Sequence, residues 1–564
     1  MPSNVTLFKN IALPTTATSG QTSTVGEPSL ANNGAEIYYS GNWYAARSVD
    51  DATSWAYVSP FTTFPAADGG FCCDQTLIYD PTRNITIWLL QYIKQNNTNT
   101  LRVVVKKGKG GGVYDFFHDL KPGDVNSAWA AEWFDYNSAA LSNNYLYVTT
   151  NSYSGSTNAW QRAVVFRISL DSLAAGSALS YNYFSTTQNG SLRCTLGATD
   201  TMYFGSHNNS SQVRVFTWPE SSTTVTFNDV NVTAWTGGVY NAPGPDGRNW
   251  LSRTDGRITG AFLASGVIGF LWTANTQTGR PQPYVRAVRI DAATKALVSE
   301  PDIWSSTFAY AYPDACANTA GGVGVSLFRG GGAIFPTHVV GLWQDPAWLL
   351  ADTKAGTSGP QDGKWGDYVT CRPHAPDGTT FIASGYTLQG GALPSNIEPR
   401  YVHFGLNVPI GPNVAIRTIS GNFITVVNNG GLGGPNDASS IIHTDATEIG
   451  PWEKFTLVPL DTTNKRFALK TMTGNYLTAV NGGGLGGPND ASSIIHTDAT
   501  EVGPWESLVL IEQPDGTYAI RTTSGYYLTA VNGGGLGGPN DASSIIHTDA
   551  TQVGPWETFT FDSL

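Results

Sequence analysis

The chain contains 564 residues, more than one ordinary domain holds, so two or more domains are expected. Only 13% of the residues are charged, the net charge is −12 and the pI is near 5.1, and no basic stripe is present, so nucleic-acid binding is not expected. No apolar run approaches the roughly 18 residues of a membrane span, and the first residues resemble no signal peptide. Abundant aromatic and turn-forming residues, without a long stretch of helical apolar period, predict an all-β protein.

Residues 1–20 are predicted to form an N-terminal extension, and residues 21–405 contain a loose repeat. In each unit an acidic residue lies just before or within a short apolar strand, and a strand rich in Tyr and Trp follows; Arg193 takes this position in one unit. The acidic members are Glu27, Asp74, Asp135, Asp255, Asp314 and Asp367. Seven units at spacings of about 50–60 residues suit four-stranded blades of roughly 40–60 residues, and predict a seven-bladed β-propeller.

Three short segments of this region are similar to the sialidase-like (BNR, Asp-box) propellers. SVDDATSW at 48–55 resembles the family's Asp-box turn, with Ala52 where the family has Gly. VGEPSLA at 25–31 and KWGDY at 364–368 resemble the opening and closing blades. The resemblance implies a propeller in which Asp50 ties a hairpin. Because the sequence shows one degenerate box and no Arg-Ile-Pro start, sialidase activity is not expected.

The acidic residues of the repeat would crowd one end of the propeller channel, and three interpretations stay open. They are carboxylates that accept backbone N–H bonds, a calcium or other hard-cation site, or a catalytic pair for glycoside cleavage, which needs two carboxylates about 5–10 Å apart. The candidate catalytic residues are Asp74, Asp135, Asp255 and Asp314, with Arg193 as a substrate-binding residue. Sequence spacing identifies neither the catalytic pair nor a metal ligand. The one cofactor that the acidic ring suggests is Ca²⁺ in the propeller channel.

The five cysteines lie beside the same positions, on the predicted inner strands. An odd number excludes complete pairing within the chain. A vicinal Cys72–Cys73 bond and a Cys316–Cys371 bond between neighbouring blades both stay open. No set of Cys and His has the spacing of a zinc site.

Residues 406–564 contain a clear threefold repeat. The segment LGGPNDASSIIHTDAT occurs at 432–447, 485–500 and 536–551, and each copy leads into GPWE. Trp452, Trp505 and Trp556 are therefore 53 and 51 residues apart. Each unit contains about four short strands, and three units can close into a barrel that leaves no sheet edge exposed.

The pattern ALKTxxGxYLTAVNGGG…GPWExFTL resembles the fascin-like branch of the β-trefoils across roughly 410–564. The resemblance implies a β-trefoil. Members of this branch in microbial secreted proteins are taken as carbohydrate-binding modules, whereas the animal relatives bundle actin. The fold therefore predicts a ligand less firmly than it predicts an architecture.

The constant segment supplies polar candidates for sugar contacts, since vicinal hydroxyls need donors and acceptors. They are Asn436, Asp437, His443, Asp445, Asn489, Asp490, His496, Asp498, Asn540, Asp541, His547 and Asp549. Asn and Asp can equally cap their own turn. The three Trp residues are predicted to pack in the core or between repeats. The flanking strands differ while the loops do not, which favours a shared constraint on the loops, although local gene conversion would give the same pattern.

Two functions follow from this organisation. The first is a lectin-like, secreted protein that binds glycans or polysaccharides through three equivalent trefoil sites. The alternative is a carbohydrate-active enzyme, a glycoside hydrolase or polysaccharide lyase, with a catalytic propeller and a trefoil that targets it to polysaccharide. The two-domain layout favours the enzyme, and the lack of a recognisable catalytic motif favours the lectin.

Overall fold

The computed structural model describes residues 4–375, 378–407, 413–433, 441–461, 466–486, 494–513, 516–537 and 545–564. The chain divides into two compact units, and the boundary along the sequence lies between Leu406 and Asn407. Six of the predicted trefoil contacts, Asn436, Asp437, Asn489, Asp490, Asn540 and Asp541, lie outside the described residues. No helix in the described part of the chain is long and apolar enough to cross a membrane.

The N-terminal unit is built almost entirely of strands. In chain order they are β1 (Asn4–Ala12), β2 (Ser29–Asn33), β3 (Glu36–Ser40), β4 (Ala45–Ser48), β5 (Ala56–Val58), β6 (Phe71–Asp80), β7 (Ile85–Tyr92), β8 (Leu101–Lys107), β9 (Phe116–Leu120), β10 (Glu132–Leu141), β11 (Tyr145–Ser154), β12 (Trp160–Ser169), β13 (Tyr181–Thr186), β14 (Arg193–Cys194), β15 (Thr201–Asn209), β16 (Gln212–Pro219), β17 (Thr226–Asn231), β18 (Ile258–Ala264), β19 (Val267–Ala274), β20 (Tyr284–Asp291), β21 (Leu297–Ser299), β22 (Ala309–Ala317), β23 (Val323–Gly331), β24 (Ile334–Gln344), β25 (Ala347–Lys354), β26 (Thr370–Pro373), β27 (Phe381–Leu388) and β28 (Ile397–Asn407). Its short helices are α1 (Thr15–Thr18), α2 (Pro122–Val125) and α3 (Leu170–Ala175), with 3-10 turns at Ser127–Trp129 and Pro394–Asn396.

These strands form seven antiparallel four-stranded sheets, which confirms the predicted seven-bladed propeller. Six blades are consecutive, β2–β5, β6–β9, β10–β13, β14–β17, β18–β21 and β22–β25, and the seventh contains β26–β28 with β1 at its outer edge. The first strands of successive blades contact one another around a closed ring, β2, β6, β10, β14, β18, β22 and β26, with β26 returning to β2.

Strand β1 corrects the predicted boundary at residue 21. It completes the sheet formed by the last three strands of the unit, in the order β1-β28-β27-β26, so the first residues belong to the seventh blade and not to an extension. The N-terminal strand thereby joins the two ends of the ring. Covering the edge of β28 in this way satisfies backbone groups that would otherwise stay unpaired.

The middle strands explain why the blades pack. All eight residues of β7, ITIWLLQY, are buried, and so are all eight of β27, FIASGYTL. A strand covered by other blades on both faces is expected to be apolar throughout and not alternating.

The turn at 48–55 is held by Asp50, whose carboxylate accepts from the backbone N–H of Ser54 at 2.8 Å and from the Ser54 hydroxyl at 2.6 Å.

The described residues of the C-terminal unit form twelve strands. They are β29 (Asn413–Arg417), β30 (Phe423–Val426), β31 (Ile442–Ala446), β32 (Lys454–Asp461), β33 (Arg466–Thr471), β34 (Tyr476–Ala479), β35 (Ile495–Ala499), β36 (Leu508–Glu512), β37 (Tyr518–Thr522), β38 (Tyr527–Ala530), β39 (Ile546–Ala550) and β40 (Thr558–Ser563). Short 3-10 turns lie at Val427–Asn429, Pro451–Glu453, Val480–Gly482, Val531–Gly533 and Pro555–Glu557.

Six of these strands close a barrel. The pairing runs β29-β32-β33-β36-β37-β40 and returns from β40 to β29, while each repeat adds one further pair, β30–β31, β34–β35 or β38–β39. Apolar side chains from all three repeats fill the interior, and the space left between Ile416, Phe455 and Ile520 is only about 10 Å³. The barrel interior is therefore a packed core and too small for a sugar.

Candidate functional site

The predicted ring residues all lie on the inner strands or just before them. Asp74, Asp135, Arg193 and Asp314 belong to β6, β10, β14 and β22. Glu27, Asp255 and Asp367 precede β2, β18 and β26 by two or three residues. The structure then separates them into two groups with different surroundings.

Glu27, Asp74, Asp135 and Asp367 form one group, the carboxylate cluster. Each of them acts electrostatically on at least one other member, and Glu27 and Asp74 share a side-chain hydrogen bond. A hydrogen bond between two carboxyl groups requires one of them to carry a proton. Burial, together with the negative charges of Asp135 and Asp367, raises the pKa of Asp74 to about 7. Burial and the charge of Asp74 also raise the pKa of Glu27 well above its ordinary range.

Asp135 is the member of the cluster with the best-defined orientation. Gln91 donates its Nε2–H to Asp135 Oδ1 at 2.7 Å, and the backbone N–H of Tyr136 donates to the same oxygen at 3.0 Å. Burial raises the pKa of Asp135, while these two bonds and the charge of Arg257 act in the opposite direction. Its carboxylate is held in place on a partly exposed strand.

Two arginines neutralise part of the cluster and its surroundings. Arg253 Nη2 lies 3.2 Å from Asp367 Oδ2, and Arg257 Nε lies 2.7 Å from Oδ2 of the half-exposed Asp255. The Arg257 guanidinium also sits 4.3 Å from the centre of the Tyr136 ring. Asp255 is therefore an ion-pair partner beside the cluster.

Tyrosines complete the site. The Tyr368 side chain is buried among the cluster carboxylates, and within the described residues its hydroxyl has no hydrogen-bond partner. Burial and the charges of Asp74 and Glu27 raise the pKa of Tyr368, so the hydroxyl keeps its proton and can donate. Its ring meets that of Tyr136 edge to face at 6.4 Å.

Backbone conformation places these side chains. Glu27, Tyr136 and Tyr312 have φ values of +41°, +61° and +56°, which is costly for residues other than glycine. The last two lie in irregularities of β10 and β22, between Asp135 and Ser138 and between Ala311 and Asp314. Such strain is concentrated at functional sites, where surrounding packing maintains it.

Asp314 and Arg193 lie outside the cluster, in a buried ion triad. Asp314 is fully buried, its Oδ1 is 2.8 Å from Arg193 Nη2, and its Oδ2 is 3.0 Å from Arg372 Nη1. The backbone N–H of Cys371 also donates to Oδ2 at 2.9 Å. The triad ties β14, β22 and β26 together, so the geometry supports a structural role for both residues.

The structure shows which of the two possible disulfides is formed. Cys72 and Cys73 form a vicinal disulfide directly before Asp74, whereas Cys194, Cys316 and Cys371 are free and buried. Cys316 Sγ and Cys371 Sγ are 3.4 Å apart and are not bonded. Among the described residues no three His, Cys, Asp or Glu side chains are arranged to hold a metal ion, so nothing in this geometry supports the calcium prediction.

An open groove of about 570 Å³ lies elsewhere, at the opposite end of β10 from Asp135. Glu220, in its wall, already accepts from the Ser142 hydroxyl at 2.6 Å and from the Asn144 backbone N–H at 2.9 Å. Its acidic group is thus committed to holding turns, and we place no chemistry there.

In the C-terminal unit the constant segments contact one another. The backbone N–H of Thr497 donates to the Leu432 carbonyl at 2.7 Å, and Leu432 N–H donates to Thr497 Oγ1 at 3.1 Å. The same pair of bonds joins Thr548 to Leu485 and Thr444 to Leu536. Each glycine loop therefore docks on the IIHTDAT strand of another repeat, and the three contacts form a cycle.

This cycle gives a physical reason for the unchanged repeats. A loop and the strand that receives it lie in different copies, so a change in one copy must be matched in another. The aspartates of the strand face the loops: a Cβ at Gly433 would lie 1.9 Å from Asp498 Oδ2, and at Gly486 or Gly537 it would lie 1.8 Å from Asp549 or Asp445. These three aspartates pack against neighbouring loops.

The histidines occupy the same place in each copy. The distance from His443 Nδ1 to Asp445 Oδ1 is 3.9 Å, the matching distance at His496 and Asp498 is 3.9 Å, and at His547 and Asp549 it is 4.0 Å. About a quarter of each His side chain is exposed. A role of these residues in sugar binding stays a prediction.

Replacing Gly433 by Ala is expected to destabilise the C-terminal unit, because the new Cβ would displace the Asp498 carboxylate. Overpacking of this kind costs about 1–3 kcal/mol. Thermal unfolding of Gly433→Ala, Asp498→Ala and the double variant measures the effect. We expect the double variant to lose less stability than the two single variants lose together. Losses that simply add would show that the two residues do not interact.

Comparison with known proteins identifies no family for this chain. No family model matches it, and no curated protein matches it. Solved structures match the chain at low similarity. A GH43 β-1,3-galactosidase is 10% identical, with a TM-score of 0.24 over 94% of this chain and 89% of that chain. The GH93 α-L-arabinofuranosidase of Fusarium graminearum is 10% identical, with a TM-score of 0.36 over 70% of this chain and 97% of that one. A prolyl endopeptidase is 9% identical, with a TM-score of 0.37 over 74% and 57%.

Sequence reasoning named the four cluster acids among six ring residues, but of its catalytic candidates only Asp74 and Asp135 belong to the cluster. It did not name Tyr136, Tyr368, Arg253 or Arg257. A local signal for the tyrosines exists, because an Asp-Tyr pair occurs at both Asp135–Tyr136 and Asp367–Tyr368. The arginines flank Asp255 in SRTDGR, a sequence typical of an ordinary polar turn.

Proposed function

We propose that the propeller is a carbohydrate-active enzyme that cleaves a glycosidic bond at the carboxylate cluster. The observation that carries this proposal is the carboxylate cluster itself, in which Glu27 and Asp74 lie beside the oriented carboxylate of Asp135 and burial raises the pKa of Asp74 to about 7. Glycoside cleavage needs a carboxylic acid that is still protonated and a second carboxylate that is ionised. Different surroundings separate the two roles here.

Asp74 is the proposed general acid. It would donate its proton to the leaving glycosidic oxygen, a proton that burial and the charges of Asp135 and Asp367 hold on it. The hydrogen bond with Glu27 acts in the opposite direction and lowers the pKa of Asp74, and the pair titrates together. Asp135 is the second carboxylate, which either activates a water molecule or attacks the sugar carbon. Tyr368 is buried beside this pair, and its hydroxyl keeps its proton among the carboxylates.

The charges favour a neutral glycan and hydrolysis over a uronic-acid polymer and elimination. Arg253 and Arg257 are already paired with Asp367 and Asp255, so neither is free to neutralise a substrate carboxylate. Glu27, Asp74 and Asp135 leave negative charge at the site, which repels a polyanion. Of the two enzyme classes expected from sequence, glycoside hydrolase fits these charges better.

The C-terminal unit is the proposed targeting module. A closed six-stranded barrel with one additional strand pair per repeat supports its assignment to the fascin-like β-trefoils. We further propose that the protein acts outside the cell. Polysaccharide is found there, and a disulfide such as Cys72–Cys73 persists in an oxidising compartment.

The test is release of reducing ends by the full chain from a panel of neutral and acidic polysaccharides. The panel includes arabinan and a β-1,3-linked galactan. We expect release from a neutral member, and loss of it in Asp135→Asn but not in Asp229→Asn, an ion-paired carboxylate of the propeller remote from the cluster. The absence of any release from the panel, or equal release by Asp135→Asn, would contradict the proposal.

The rate should fall as the pH rises through about 7, because the pKa of Asp74 is raised to about 7 and the ionised acid has no proton to donate. Above that pH the protonated fraction falls about tenfold per pH unit. At low pH the rate falls again when Asp135 gains a proton. A pH–rate profile under conditions where circular dichroism shows a folded chain measures both limbs. A rate that keeps rising above pH 8 would exclude the acid role.

A lectin-like protein that binds without cleaving is the second candidate. The cyclic, threefold arrangement of the C-terminal unit favours it, because three equal sites gain avidity on a repetitive surface. Retention on a polysaccharide without product would support this function for the whole chain and leave the propeller as a scaffold.

A further inference from the structure

The three tryptophans of the GPWE turns are presented on the surface. Trp452 is 38% exposed, and Trp505 and Trp556 are each 45% exposed. Of the two predicted placements, in the core or between repeats, the core placement is therefore wrong for all three. No ring contact joins them to one another or to another aromatic side chain in the described part of the unit. A large apolar side chain that is exposed at the equivalent position of all three repeats is typical of a binding surface.

The turns that carry these side chains are rigid. In the first, Glu453 is buried, accepts from the Gly450 backbone N–H at 2.7 Å and accepts from the Thr425 hydroxyl at 2.7 Å. Glu506 and Glu557 make the same two bonds in the second and third repeats, at 2.6–2.7 Å. Buried carboxylates thus fix a turn whose indole points outward, and a side chain fixed in advance loses little entropy on binding.

Two of the indoles lie against glycine turns of their own repeats. Cδ1 of Trp505 and of Trp556 would be 3.6 Å and 3.5 Å from a Cβ at Gly482 and Gly533, so a glycine turn supports one edge of the ring. A neighbouring repeat comes close to both turns: the Thr523 hydroxyl donates to the Pro504 carbonyl at 3.0 Å, and a Cβ at Gly533 would touch both Ile419 and Trp556. Each of these two indoles is therefore partly exposed beside a turn of another repeat.

We propose that Trp452, Trp505 and Trp556 are three equivalent platforms on which the rings of a neutral polysaccharide stack. The C–H face of a sugar ring matches an indole face, and its hydroxyl rim matches the polar groups of the adjoining turns. The indole is the apolar group common to all three positions, since the position of Ile419 in the first repeat is occupied by Thr523 in the third. Repeated weak sites on one rigid scaffold suit a polymer with repeating units. This site is separate from the carboxylate cluster and does not depend on its chemistry.

The test uses the full chain in affinity electrophoresis with soluble arabinan, galactan, xyloglucan and mixed-linkage β-glucan, and in pull-down with insoluble cellulose and chitin. Each single change, Trp452→Ala, Trp505→Ala or Trp556→Ala, is expected to weaken retention about 3–10-fold, and the triple variant to abolish it, because avidity is lost with each site. Trp304→Ala is the matched control, since that propeller indole is 46% exposed.

The outcomes separate this proposal from the enzyme proposal. Cleavage of a short soluble oligosaccharide at the propeller should be unchanged in the triple variant, while its retention on polymer is lost. Retention equal to that of the unchanged chain, an equal loss in Trp304→Ala, or no retention of the unchanged chain on any of the six polymers would each overturn it. Thermal unfolding of the triple variant near that of the unchanged chain shows that a loss of retention is not a loss of folding.

Discussion

Replacing Asp74 by Asn is expected to lower glycoside cleavage about 10²–10⁴-fold, the usual contribution of a general acid. The amide occupies nearly the same volume and cannot supply the proton that the Glu27–Asp74 pair retains. The initial rate of reducing-end release at pH 6 measures the effect. A rate within threefold of that of the unchanged chain would remove Asp74 from the mechanism.

The same substitution should make the folded chain more stable at high pH. The pKa of Asp74 is raised in the folded state. The folded chain therefore becomes less stable as the pH rises from the ordinary pKa of an aspartate toward about 7. The neutral amide would carry no such cost, so we expect the melting temperature of Asp74→Asn to exceed that of the unchanged chain by about 2–5 °C at pH 8 and to match it near pH 4.

A control variant should respond in the opposite direction. Arg214 pairs with Asp229 at 2.8 Å and lowers the pKa of that carboxyl, so Asp229→Asn is expected to destabilise the chain at pH 8. Melting curves of both variants at the two pH values complete the test. A lower melting temperature for Asp74→Asn at pH 8 would show that its carboxylate stabilises the fold.

Replacing Asp314 by Ala is expected to have the largest effect on stability, about 3–5 kcal/mol, because it leaves Arg193 and Arg372 buried without a counter-charge. Asp255→Ala is the matched control, since its pair with Arg257 is half-exposed and such pairs contribute about 0–1 kcal/mol. Urea unfolding followed by tryptophan fluorescence measures both. If Asp314→Ala were as stable as the unchanged chain and inactive, Asp314 would return as a catalytic candidate.

The sequence predicted the blades better than it predicted the site. Acidic residues at regular spacing mark the inner strands correctly, because that spacing follows the length of a blade. It does not show where a strand bends. Tyr136 and Tyr312 occupy matching bends with positive φ; Asp135 precedes one, whereas Asp314 follows the other by two residues. This short offset separates a carboxylate of the cluster from one that is buried between arginines.

The repeat shows the same division. Its threefold period predicts a closed unit, and twelve strands in three sets of four agree with it. The core placement predicted for the tryptophans is wrong, whereas the alternative placement between repeats agrees with Trp556, which lies near Ile419 of the first repeat. Burial of the glutamate in place of the indole depends on Gly450 and Thr425, which lie on separate segments and meet only in the fold.

The most direct test of the central claim is a crystal structure of the Asp74→Asn variant with an oligosaccharide of the cleaved glycan. We predict a glycosidic oxygen within about 3 Å of the side chain at position 74, a distance typical of a hydrogen bond, with the adjoining ring carbon facing Asp135. A sugar bound only at the C-terminal unit, or seated in the propeller away from both residues, would contradict the account.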